Sequence, residues 1–131
     1  MKHKGNKGEI CIYRERKIKE LFHQIKRSGV CSTIGEICIK ISQMKMDRYY
    51  ISEVRARDIY YRYRSYGIIQ PCSKYAYGLR MDLVHECERI RTERGYTSYS
   101  MIVREAIERP ARCIGLSPNR IQRILKEGGA L

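Results

Sequence analysis

The sequence predicts an all-α protein built of two tandem three-helix units, with room for short β segments in the linkers. Three observations carry that expectation. Apolar residues recur at helical spacing in six segments bounded by capping residues, glycine or proline. The plan of the first three segments returns in the last three, with Thr33 matching Ser98 and Ser52 matching Ser117, both 65 residues apart. With 131 residues, 43% hydrophobic and 31% charged, the chain is long enough for one compact domain or two small ones and too apolar for wholesale disorder.

Residues 1–15 read as a basic tail opening Met1-Lys2-His3-Lys4-Gly5-Asn6-Lys7-Gly8, with no apolar stretch of signal-peptide length behind it. The first unit spans 16–67. Ile18, Leu21, Phe22 and Ile25 define a helix over 16–28, which Gly29 ends. Thr33-Ile34-Gly35-Glu36 is a capping box, in which threonine caps the helix and glutamate reaches back. Ile34, Ile37, Ile41 and Met44 continue that helix over 33–45. Met46 to Ile51 reads as extended. Ser52 caps a third helix over 53–65, with Ala56, Ile59, Tyr60 and Tyr63 inward and Gly67 as its stop.

Residues 68–78, with a proline inside and Gly78 at the end, form the expected linker. The second unit spans 79–131. Leu79, Leu83, Cys87 and Ile90 line a helix that ends before Gly95. Ser98 or Ser100 caps a helix through Arg109, stopped by Pro110. Arg112 to Leu116 is extended, Ser117 is a cap, and Pro118 takes the first helical position that proline favours. The last helix, 118–127, turns Ile121, Ile124 and Leu125 inward and ends at Gly128.

The charge is the functional clue. Lys and Arg number 27 against 14 Asp and Glu, a net charge of +13. Such an excess opposes compaction by self-repulsion and suits a polyanionic partner better than solubility, which mixed signs serve as well. No apolar run reaches the ~20 residues of a bilayer span, so the expectation is a cytoplasmic protein without a membrane partner, in a bacterial cell or in the host cell if phage-encoded. Six cysteines (Cys11, Cys31, Cys38, Cys72, Cys87, Cys113) contain no C-x-x-C pair, and the three histidines stand apart from one another. Metal sites bring their ligands in close pairs, so these cysteines read as small buried hydrophobes, with no metal and no cofactor. No G-x-S-x-G, H-E-x-x-H or phosphate-binding glycine loop occurs, and the carboxylates are scattered, so the expected function is non-catalytic.

The run Ser117-Pro118-Asn119-Arg120-Ile121-Gln122-Arg123-Ile124-Leu125-Lys126 closes a three-helix unit with a capped, basic final helix. Such a unit resembles the helix-turn-helix DNA-binding proteins. That resemblance implies an all-α unit whose last helix enters the major groove, with Asn119, Arg120, Gln122, Arg123 and Lys126 outward. Arg and Lys fork onto guanine, Asn and Gln onto adenine. In the first unit the corresponding helix presents Arg55, Arg57, Tyr61, Arg62 and Arg64, arginine being the stronger phosphate partner and tyrosine able to stack on a base. One feature departs from the family pattern: the connection before each third helix has six or more residues where the family uses three or four. A second resemblance concerns Met46-Asp47-Arg48-Tyr49-Tyr50-Ile51-Ser52 and Pro110-Ala111-Arg112-Cys113-Ile114-Gly115-Leu116-Ser117, which are similar to segments of small uncharacterised proteins of Bacteroides-type bacteria, their phages and mobile elements.

The expected function is therefore binding of double-stranded DNA through a basic helical surface, as a regulator or packaging factor of phage or mobile-element DNA. The alternatives are an RNA- or ribosome-binding protein, and an adaptor such as a phage virion component that meets an acidic protein. A homo-oligomer or a protein partner is compatible with each.

Overall fold

The computed structural model describes residues 8–131, and among them it is all-helical. The helices are α1 (Glu9–Ser28), α2 (Ile34–Gln43), α3 (Glu53–Tyr66), α4 (Lys74–Arg94), α5 (Tyr99–Ala106) and α6 (Pro118–Glu127). Each of the last five opens on a hydroxyl cap. Thr33 forms the full capping box with Glu36, while Ser52, Ser73, Ser98 and Ser117 each accept a backbone N–H from three residues on. Gly67 closes α3 in the left-handed conformation at φ 71°, which only glycine adopts without strain.

Several boundaries differ from the sequence reading: α5 stops at Ala106 and not at Arg109, α2 stops at Gln43 and not at 45, and two helices begin earlier than expected. The tail expected over 1–15 is helical from Glu9 onward, with Glu9 in the first turn where a carboxylate favours the helix dipole; residues 1–7 lie outside the described residues. The linker expected over 68–78 is helical from Lys74, because Ser73 supplies a cap. Gly78 in that helix costs about 1 kcal/mol relative to alanine, which weakened the helical signal there. The extended segments form no strand among the described residues, only an antiparallel bridge between Met46 and Ala111.

That bridge shows how the halves are joined. Met46 N–H donates to the Ala111 carbonyl at 2.8 Å, and Ala111 N–H donates back at 3.0 Å. The two residues are 65 apart, the same spacing as the caps. A reciprocal antiparallel pair has a local two-fold axis between its partners, so the two connectors meet at equivalent positions of the 65-residue spacing. Asp82 of α4 ties both connectors at this point, accepting from the Tyr49 hydroxyl at 2.8 Å and the Arg112 N–H at 2.9 Å.

The third helices are exchanged across this axis. α6 packs on α1 and α2, and α3 packs on α4 and α5. The contiguous units 16–67 and 79–131 are therefore not the packing units; the bundles are α1–α2–α6 and α4–α5–α3. Residues 44–52 and 107–117 are long enough to carry each third helix to the opposite pair.

The buried core obeys the same spacing. Ile18 and Leu83, Phe22 and Cys87, Ile25 and Ile90, Ile37 and Ile102, Ile41 and Ala106, Ala56 and Ile121, Ile59 and Ile124, and Tyr60 and Leu125 are all buried and all 65 apart. Volume is redistributed within pairs, Tyr60 against Leu125 and Phe22 against Cys87, so the two bundles share a pattern and differ in packing.

Candidate nucleic-acid interface

Helix α6 is built to hold one face outward. Ser117 caps it, accepting the Arg120 N–H at 3.1 Å, and Pro118 begins it. Ile121, Ile124 and Leu125 bury its other face against α1 and α2. Asn119, Arg120, Gln122, Arg123 and Lys126 are all exposed, and their side chains make no ion pair or hydrogen bond with the described residues. At the C-terminal end Lys19 of α1 lies so close that a Cβ on Gly128 would come 2.5 Å from its Cε, which places a cation beside the negative end of the helix dipole. The same bundle exposes Lys26, Arg27, Lys40 and Lys45. Its ion pairs among the described residues run from Lys17 to Glu20 at 3.4 Å and to Asp47 at 3.9 Å.

The candidates on α3 stand differently. Arg62 donates to both oxygens of Asp58 at 3.1 Å. Arg64 reaches Glu88 of α4 at 3.1 and 3.2 Å. Arg57 donates to the Ser100 hydroxyl at 3.1 Å and lies 3.7 Å from Glu53. Tyr61 meets the Tyr99 ring edge-on at 5.5 Å. Arg55 is exposed and has no carboxylate partner among the described residues. The ten candidates therefore divide between two bundles: five on α6 whose polar ends have no partner among the described residues, and five on α3, of which three arginines are bound by protein groups and Tyr61 packs on Tyr99.

The acids responsible form a network in the α3–α4–α5 bundle. Glu86 is buried, with a side chain 10% exposed, and binds Arg89 and also Arg109, the latter at 2.6 Å. Arg109 continues to Glu105 at 2.8 Å and Glu93 at 3.5 Å, and Glu105 to Arg94 at 3.0 Å. Glu53 receives Arg104 of α5 at 3.1 Å. Burial alone would raise the Glu86 carboxyl, but hydrogen bonds and charge from Arg89 and Arg109 outweigh it and hold the group below the ordinary carboxylate range. The Tyr60 phenol, raised by burial and then by its hydrogen bond to Glu88, stays protonated as a donor.

The six cysteines are free thiols. Cys38 and Cys87 are buried, Cys72 is exposed, and the others are half-buried. Burial pushes the Cys87 thiol up to about 12, and the neighbouring Glu86 and Glu88 act in the same sense. A thiol so raised is a packing group, not a nucleophile. No cluster of three or more His, Cys, Asp or Glu placed to hold a metal occurs among the described residues, and no helix there is long and apolar enough to cross a membrane.

Comparison with protein-family models, curated proteins and solved structures found no match to this chain.

Sequence reasoning reached the outward set of α6 and missed Lys26, Arg27, Lys40 and Lys45. For Lys26, Arg27 and Lys40 the signal was present as cations off the apolar stripes of α1 and α2; Lys45 lies in the connector after α2. Their membership of the α6 bundle follows only from the exchange of third helices.

Proposed function

We propose that the protein binds double-stranded DNA through the α1–α2–α6 bundle, with α6 as the helix laid in the major groove. The observation that carries this reading is the outward face of α6, where Arg120, Arg123, Lys126, Asn119 and Gln122 are all exposed and have no partner among the described residues. A free cationic face on a chain of net charge +13 raises self-repulsion, and a polyanion relieves it. At about 1.5 Å per residue, α6 is roughly as long as the groove is wide. Asn119 and Arg120 in its first turn reach base edges, while Arg123, Lys126 and the lysines of α1 and α2 meet phosphates.

The reading is of a binding protein, not an enzyme, with a role in regulating or packaging DNA. It is tested by fluorescence anisotropy with a random duplex and a structured RNA across a salt series. The expected result is duplex binding whose log–log salt slope corresponds to several phosphates at about 0.9 each. Tighter binding to the RNA would transfer the surface to RNA. No binding to either at low salt would sink the proposal and point to an acidic protein partner.

A further inference from the structure

A cleft of about 390 Å³ opens where the N-terminal halves of α1 and α4 meet the two connectors. Arg14, Arg55 and Arg80 line it, its walls include Leu79, Ile114 and Leu116, and no carboxylate is among its lining residues. It straddles the 65-residue repeat, since Ile51 and Leu116, Tyr50 and Gly115, and Arg14 and Leu79 are lining pairs 65 apart.

The last two pairs break the symmetry. In one half Leu79 is buried and lies so close to Gly115 that a Cβ there would come 2.6 Å from its Cδ2; Gly115 is also left-handed, at φ +81°. In the other half the same two places hold Arg14 and Tyr50. The Arg14 Nε is buried and has no hydrogen-bond partner among the described residues. Its Nη2 reaches only the Cys11 sulfur, at 4.0 Å, a weak acceptor. A guanidinium put where the duplicate holds leucine adds nothing to the core, and its unmade hydrogen bond is costly. Arg55 and Arg80 have no ion pair among the described residues either. The carboxylate lining the adjoining hollow, Asp58, is engaged by Arg62 at 3.1 Å.

We infer that this cleft binds a small phosphate monoester. Its phosphate would sit among the Arg14, Arg55 and Arg80 guanidinium groups, and its organic body would lie against Leu79, Ile114 and Leu116. A phosphate monoester is close to a dianion at neutral pH, and its tetrahedral group offers three terminal acceptor oxygens, so that more than one guanidinium fork can bind it; a carboxylate carries half that charge and two oxygens. The volume lies within the range of small-molecule sites.

The site does not depend on the DNA reading, because the exposed α6 side chains do not line it. The test is calorimetry and thermal melting of the full chain with inorganic phosphate, acetate and adenosine 5′-monophosphate at constant ionic strength. The monoester is expected to bind saturably and more tightly than phosphate, with acetate inert. Arg14→Leu installs the residue that the duplicate position carries, so the unliganded variant should melt at the same temperature or higher while its affinity falls about tenfold or more. Arg80→Gln should weaken binding similarly, and Arg120→Ala with Arg123→Ala should leave it unchanged even if duplex binding is lost. Absence of saturable binding, or affinity undiminished by Arg14→Leu, would overturn the inference. Displacement of the monoester by duplex, with the duplex salt slope reduced by about 0.9 in Arg14→Leu, would overturn it too, by making the phosphate one of the DNA backbone.

Discussion

In the α3–α4–α5 bundle, Glu53, Asp58, Glu86, Glu88 and Glu105 hold Arg104, Arg62, Arg109, Arg64 and Arg94. Moved by 65 residues into the α1–α2–α6 bundle, those five acids become Pro118, Arg123, Leu21, His23 and Lys40. The apolar positions survive the same comparison almost unchanged, as Ile25 with Ile90, Ile37 with Ile102 and Ile59 with Ile124 show. One plan has therefore been given two electrostatic treatments. In one bundle these carboxylates hold arginines; in the other the matching positions carry none, and the acids of α1, α2 and α6 (Glu9, Glu15, Glu20, Glu36 and Glu127) stand elsewhere. Net charge alone does not reveal this division, because it does not say which cations a carboxylate reaches.

The strongest way to break the comparison is through the core. Leu125→Ala should cost about 2–5 kcal/mol. Because α6 packs on α1 and α2, hydrogen-exchange protection should fall first in those helices and persist in α4 and α5. Equal or earlier loss in α4 and α5 would show that the third helices are not exchanged.

Next in size is the acid network. Glu86→Gln should destabilise by about 1–3 kcal/mol in urea unfolding, since it removes the charge between Arg89 and Arg109 and leaves Arg109 its contacts with Glu93 and Glu105. Lys17→Ala, which removes the more exposed pairs of the other bundle, should cost under about 0.5 kcal/mol. Comparable losses would mean that the two bundles are not treated differently.

The same network sets the response to acid. The folded state holds the Glu86 and Glu105 carboxyls below their ordinary value of 4.5, so the unfolded chain takes up protons first as pH falls. Stability from these groups should be complete above about pH 4.5 and lost as pH drops through their lowered folded values. Melting curves from pH 7 to 3 should show the decline, and Glu86→Gln should make it shallower. Ser117→Ala should cost about 1 kcal/mol in urea unfolding, through loss of the α6 cap.

Faces and caps were legible in the sequence, since periodicity and hydroxyl residues act within a few positions. Thr33, Ser52 and Ser117 cap as read, Ser98 is the cap of the two serines offered for α5, and Ile121, Ile124 and Leu125 are buried as read. What α6 packs against was not legible. Periodicity says which face is buried, and the two third helices carry interchangeable patterns. The long connectors before α3 and α6 were the visible sign that a compact three-helix turn was not being made. The candidate surface on α6 was legible because its free state requires no partner. The engagement of Arg64 and Arg57 was not, because Glu88 and Ser100 lie 24 and 43 residues away in the chain.

The most direct test of the account compares two double variants for duplex binding across a salt series: Arg120→Ala with Arg123→Ala on α6, and Arg62→Ala with Arg64→Ala on α3. The α6 pair should weaken binding by about tenfold or more and reduce the salt slope by roughly 1 to 2, while the α3 pair should leave affinity within about twofold. Equal losses, or a larger loss from the α3 pair, would contradict the assignment of the interface to the α1–α2–α6 bundle.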